Sequence, residues 1–195
     1  MILEKEIEFV LAIDALKNVN RRNFNLDNSR RENTAEHSWQ VVVFAQILYP
    51  YARNKEKIDL GKVLKMLSIH DVVEIDAGDT FFYDAKANEG KFERELTSAK
   101  RIFGILNEPL QSEFLNLWLE FEEGKTEEAI FANAVDRMIP FTLNCYNNGL
   151  SWIEAGVTYE KVKQLLRGKI TEASEEMAEA FDILIKKAFD EGKLI

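Results

Sequence analysis

Apolar residues along this chain recur at intervals of three and four, the spacing of one helix face, and no run alternates like a half-buried strand. The pattern predicts an amino-terminal helix from about Leu3 to Lys17, docked through Ile7, Val10, Leu11 and Ala15. A polar, arginine-rich stretch follows from Asn18 to Asn33. A second helix is expected from Thr34 to Tyr49, ended by Pro50. A third, with Asp59 as its N-cap, should continue to Ala77-Gly78. Residues 81–88 read as a loop, and further helices are expected over Gly90–Leu106, Leu110–Glu123 and Glu127–Tyr146, with a kink or break at Pro140. A shorter helix after Thr158 precedes an amphipathic one from Thr171 to Glu191, which places Met177, Ala180, Phe181, Leu184, Ile185, Ala188 and Phe189 on one face. No repeat, low-complexity tract or linker interrupts the series, so residues 1–195 read as one all-α domain.

Composition narrows the class. An apolar fraction of 46% suits a globular core, and three prolines with nine glycines disfavour a turn-rich all-β fold. The net charge of −9 argues against nucleic-acid polymers and membrane surfaces as partners, because both are polyanionic. A small anionic substrate needs only a local positive site. The single cysteine, Cys145, can form no internal disulfide and suits a reducing compartment. The first ten residues make a poor signal peptide, and no stretch is apolar enough to span a bilayer. A cytoplasmic protein is the expectation.

Three apolar stripes are interrupted by groups that bind metals. Leu60, Val63, Leu64 and Leu67 form a stripe that runs on into His70, Asp71 and Glu74. A carboxylate aimed at a core costs roughly several kcal/mol unless a partner or metal compensates it. His37, the only other histidine, shares a face with Val41, Phe44, Ala45 and Leu48, and Asp136 lies among Ala129, Ala132, Ile139 and Leu143. Each has a bland reading: a lone interior histidine is more often a hydrogen-bonded core residue, and Asp136 beside Arg137 could be a surface ion pair. The bland reading must hold at three helices at once. Two imidazoles and two carboxylates suit one divalent ion such as Mn, Co, Fe, Zn or Mg.

The order His37, then His70-Asp71, then Asp136 resembles the HD-domain metal-dependent phosphohydrolase superfamily. The longer motifs Glu32-Asn33-Thr34-Ala35-Glu36-His37-Ser38 and His70-Asp71-Val72-Val73-Glu74-Ile75-Asp76-Ala77-Gly78-Asp79-Thr80 are similar to the branch containing the HD-domain 5′-deoxynucleotidases. The matching motifs span about Leu16 to Pro140. The resemblance implies packed helices around one divalent ion and hydrolysis of a phosphate monoester from a nucleoside 5′-monophosphate. It implies that Glu74 orients or deprotonates the attacking water or protonates the leaving oxygen, with support for a metal-bound histidine as the plainer alternative. It also implies that Asp79, with Thr80 beside it, lies near the water or the sugar.

An upstream phosphate-binding arginine falls on Arg22 in an ungapped match, or on Arg21 if the loop differs by one residue. The family's bacterial nucleotidases follow that arginine with a tryptophan near the sugar, whereas Asn23 and then Phe24 stand here. Family members are commonly homodimers, so a homodimer is expected. Alternatives are cleavage of a cyclic nucleotide or nucleotide diphosphate linkage, and a helical protein that holds metal without turnover. Two-metal enzymes of this superfamily usually need extra histidines, and this chain has none to spare.

Overall fold

The computed structural model describes residues 2–195. Its elements are α1 (Glu4–Ile13), β1 (Asn20–Phe24), β2 (Arg31–Asn33), α2 (Thr34–Leu48), α3 (Leu60–Ile69), α4 (Glu74–Ala77), α5 (Lys91–Phe103), α6 (Leu110–Glu123), α7 (Glu127–Tyr146), α8 (Leu150–Glu154), α9 (Tyr159–Ala173) and α10 (Glu175–Asp190). Side-chain caps start most of the long helices. Asn33 accepts the Glu36 amide while the Glu36 carboxylate accepts the Asn33 amide, so α2 opens in a reciprocal cap. Asp59, Thr126, Thr158 and Ser174 each accept the amide three residues on, at the starts of α3, α7, α9 and α10.

Helix α7 is the centre of the packing and lies against α2, α3, α6, α9 and α10. Its small residues Ala129, Ala132, Ala134 and Val135 are fully buried and let those neighbours approach closely. Large side chains fill the layers around it, among them Trp118, Phe131, Phe141 and Phe181. Helix α2, which carries His37, α3, which leads into the His70-Asp71 pair, and α7, which carries Asp136, are mutual neighbours, which follows from their apolar stripes sharing one core.

The structure corrects five expectations. Helix α1 docks through Phe9, and the turn after it through Leu16, while Ile7, Val10, Leu11 and Ala15 face outward. Phe9, Ile13 and Leu16 form a second apolar stripe, and that one meets the core. The arginine-rich stretch contains an antiparallel hairpin rather than loop alone, with Asn20 paired to Asn33 and Phe24 to Arg31. Four steps along β1 match two along β2, so β1 is bulged, a device that re-aims side chains. The third predicted helix is broken: α3 stops at Ile69, a 3₁₀ turn spans His70–Val73, and α4 follows. Helix α7, by contrast, continues through Pro140 without a break, its neighbours holding it on both sides. Finally, the terminal helix starts after Ser174, whose extended backbone separates α9 from α10. No helix among the described residues is long and apolar enough to cross a membrane.

Candidate metal centre

One nitrogen or oxygen from each of His37, His70, Asp71 and Asp136 lies within 4.8 Å of the others. The first turn of α2 brings His37, fully buried. The 3₁₀ turn brings His70 and Asp71, and its three-residue period sets Asp71 and Glu74 one above the other. The middle of α7 brings Asp136, one turn before Pro140, whose ring lacks the N–H that would otherwise bond the Asp136 carbonyl.

Each donor is oriented. His70 Nδ1 is 2.8 Å from the Leu67 carbonyl and can only donate there, which leaves Nε2 to face Asp136 at 3.4 Å and Asp71 at 3.3 Å. His37 Nε2 lies 2.8 Å from the same Asp136 oxygen. Burial works against charge on the His70 ring, but Asp71 and Asp136 outweigh it and push the pKa up to about 9. Burial opposes the Asp136 carboxylate too, yet the two histidines hold it well below the usual carboxylate range. Two imidazole nitrogens and two carboxylates converging in a buried site fit a divalent ion of intermediate or hard character.

Around this set the other motif residues take defined places. Arg21, inward on the bulged strand, puts Nη1 2.9 Å from Asp71, 3.6 Å from Asp79 and 3.8 Å from Glu74. Arg22 points outward at the cavity mouth, 5.9 Å from the Phe81 ring centre. Arg21, not Arg22, therefore reaches the carboxylates. Arg30 pairs with Glu36, and Arg31 pairs with Glu154 and lies over Phe24. Glu74 is 5% exposed and accepts a hydrogen bond from the Thr34 hydroxyl at 2.9 Å. Burial, then Asp71, raise its pKa well above the ordinary value, with Arg21 pulling the other way. Asp79 and Thr80 line the cavity beside it.

Two residues with no role assigned from the sequence also belong here. Glu32, 3% exposed, lies 3.7 Å from both His37 Nδ1 and Arg21 Nε, and none of these three atoms has a hydrogen-bond partner. A carboxylate behind a ligating imidazole fixes its tautomer and raises its basicity. Glu32→Ala should accordingly weaken divalent-metal affinity about 10- to 100-fold, read by competition with a chelating dye. The signal was its place in the Glu32-Asn33-Thr34-Ala35-Glu36-His37 motif. Lys91 lines the cavity at the start of α5, with Nζ 3.4 Å from the buried Glu95 carboxylate. Burial pushes Glu95 up to about 7 against the pull of Lys91. No apolar stripe marked this pair.

The cavity beside the four donors holds about 110 Å³ and runs from Arg21 and Asp79 toward Phe141 and Trp152. Pockets that engulf a whole drug-sized ligand are several times larger, roughly 300–1,000 Å³. The enclosed part therefore suits a small group rather than a whole ligand of that size.

Comparison with known proteins agrees with this geometry. A family model described as HD domain matches residues 13–178. The crystal structure of a predicted metal-dependent phosphohydrolase from Magnetospirillum magnetotacticum superposes with a TM-score of 0.92 at 40% identity, covering 98% of this chain and 95% of that one. The protein named 5′-deoxynucleotidase HDDC2 from Homo sapiens is 28% identical over 132 residues, 67% of this chain. Its Danio rerio counterpart is 26% identical over 137 residues, 70% of this chain. The chain spans 62% of the length of the human protein and 66% of the zebrafish one.

Proposed function

This chain belongs to the HD-domain family, and we propose that it is a divalent-metal-dependent phosphohydrolase that removes the 5′-phosphate from nucleoside monophosphates. The observation that carries the reading is the convergence of two buried histidines and two half-buried aspartates beside a small cavity with Arg21, Glu74 and Asp79 on its wall. A site that only stored metal would need none of the last three.

His37, His70, Asp71 and Asp136 would hold the ion, which when bound lowers the pKa of a water and polarises a phosphoryl oxygen. Arg21 and Lys91 supply the positive charge that a phosphate dianion requires, in a chain otherwise strongly acidic. Glu74 is buried and its pKa is raised by that burial and by Asp71, which suits it to holding or accepting a proton as the general acid or base. Thr34 keeps one of its oxygens in place. Asp79 stands against Arg21 and helps aim it into the cavity. Arg22 and Phe82, both on the cavity wall and exposed to solvent, would face the base of the nucleotide.

A substrate panel separates the readings. Protein loaded with Mn or Co should release inorganic phosphate from nucleoside 5′-monophosphates, and a chelator should abolish the release. Turnover of cyclic nucleotides or diphosphate linkages in preference to monoesters would instead place the chain in another reaction class. Metal binding with every substrate left intact would favour a binding protein.

A further inference from the structure

Between the metal donors and the phosphate cation, three buried polar atoms meet without a hydrogen bond: Glu32 Oε2, His37 Nδ1 and Arg21 Nε. The hairpin brings them together. Glu32 is the one residue of β2 opposite the bulge in β1, between the Asn20–Asn33 and Phe24–Arg31 pairs. Its side chain is turned inward, as is that of Arg21 on the facing strand. The reciprocal Asn33–Glu36 cap then leads the chain directly from β2 into α2, which sets His37 beside Glu32. His37 Nε2 is turned to Asp136 at 2.8 Å, so Nδ1 is the nitrogen left to carry a proton toward Glu32. Arg21 is tied at Nη1, 2.9 Å from Asp71, while its Nη2 makes no hydrogen bond among the described residues and is left for a ligand in the cavity. Both N–H groups, His37 Nδ1 and Arg21 Nε, lie 3.7 Å from the same Glu32 oxygen. Buried donors and acceptors are costly to leave unpaired, and these three are complementary: one anionic oxygen with two lone pairs, and two donors.

We propose that Glu32 is a positioning residue shared by both halves of the site: its carboxylate aligns the His37 ring toward the metal and the Arg21 guanidinium toward the substrate phosphate. The inference rests on the metal and phosphate reading above and adds a link between the two. A ligating imidazole loses orientation and basicity without an acceptor behind it. A guanidinium held at Nη1 alone swings about that contact, whereas one held at Nε as well presents Nη2 in a single direction. Glu32 itself neither belongs to the donor set nor lines the cavity, so it reaches metal and phosphate only through these two side chains.

The test measures Mn affinity and inorganic phosphate affinity on wild type, Glu32→Ala, Arg21→Ala and the double variant. Mn is read by competition with a chelating dye, and phosphate by calorimetry at Mn concentrations that saturate each protein. Glu32→Ala should weaken Mn about 10- to 100-fold and phosphate about tenfold. Arg21→Ala should weaken phosphate without weakening Mn, because it removes a cation beside Asp71. In the double variant the Mn loss persists, while phosphate binds no more weakly than in Arg21→Ala, since Glu32 acts on it through Arg21. Glu32→Gln keeps the volume but not the charge and should show both losses to a smaller degree, which guards against a misfolded alanine variant. Weakened Mn with unchanged phosphate would make Glu32 a partner of His37 alone, and the reverse a partner of Arg21 alone. Either result, or additive phosphate losses in the double variant, overturns the inference while leaving the functional reading intact. Wild-type protein that binds no Mn, or binds Mn but no phosphate, overturns both.

Discussion

Replacing Asp136 with asparagine is expected to lower metal-dependent phosphate release by about a thousandfold or more and leave the helical fold in place. The loss follows from its position. Both histidine Nε2 atoms converge on one Asp136 oxygen, at 2.8 and 3.4 Å, so this carboxylate joins the two halves of the donor set. Asparagine keeps the shape but removes the anionic ligand. Metal-bound water activation contributes several kcal/mol to such reactions, and each 1.36 kcal/mol is about a factor of ten. The fold survives because the neighbours that anchor α7, including Ala132, Val135 and Ile139, are unaltered. Phosphate release, metal content and circular dichroism on the same preparation check this. Activity within tenfold of wild type would remove Asp136 from the metal set.

Glu74→Gln should retain the metal and lose about 10²- to 10⁴-fold in kcat, the range expected when a general acid or base is removed. Glutamine still accepts the Thr34 hydroxyl but cannot carry a proton between water and leaving group. Wild-type Glu74 is suited to that work because burial, Asp71 and Asp79 favour its protonated form, while Arg21 and Thr34 moderate the effect. Metal content therefore decides the assignment. If Glu74→Gln loses metal and activity together, the residue supports the donor set; if it keeps full activity, it has no part in proton transfer.

Much of the site was legible in the sequence because helical periodicity is a geometric statement. His37, His70, Asp71 and Asp136 each interrupt an apolar stripe, and stripes that share a core must bring their interruptions together. The 3₁₀ turn at His70–Val73 was hidden, since a local tightening leaves the apolar spacing almost unchanged. The hairpin was hidden for another reason. Asn-Arg-Arg-Asn-Phe has no apolar alternation, and its bulge puts Arg21 rather than Arg22 among the carboxylates. Asn23 hydrogen-bonds with Asn144 and Ser151 across more than a hundred positions, so only the folded chain reveals their network. Helix α1 misled because it carries two apolar stripes, and periodicity alone does not choose between Ile7-Val10-Leu11 and Phe9-Ile13-Leu16.

The most direct test is a Mn titration of metal-stripped protein, following bound ion and phosphate release from a nucleoside 5′-monophosphate together. Release should begin from nothing and rise in step with occupancy of one tight site per chain, and Asp136→Asn should show neither response. Full-rate release from the stripped protein, or an occupied site with every nucleotide intact, would contradict a metal-dependent nucleotide phosphohydrolase built on His37, His70, Asp71 and Asp136.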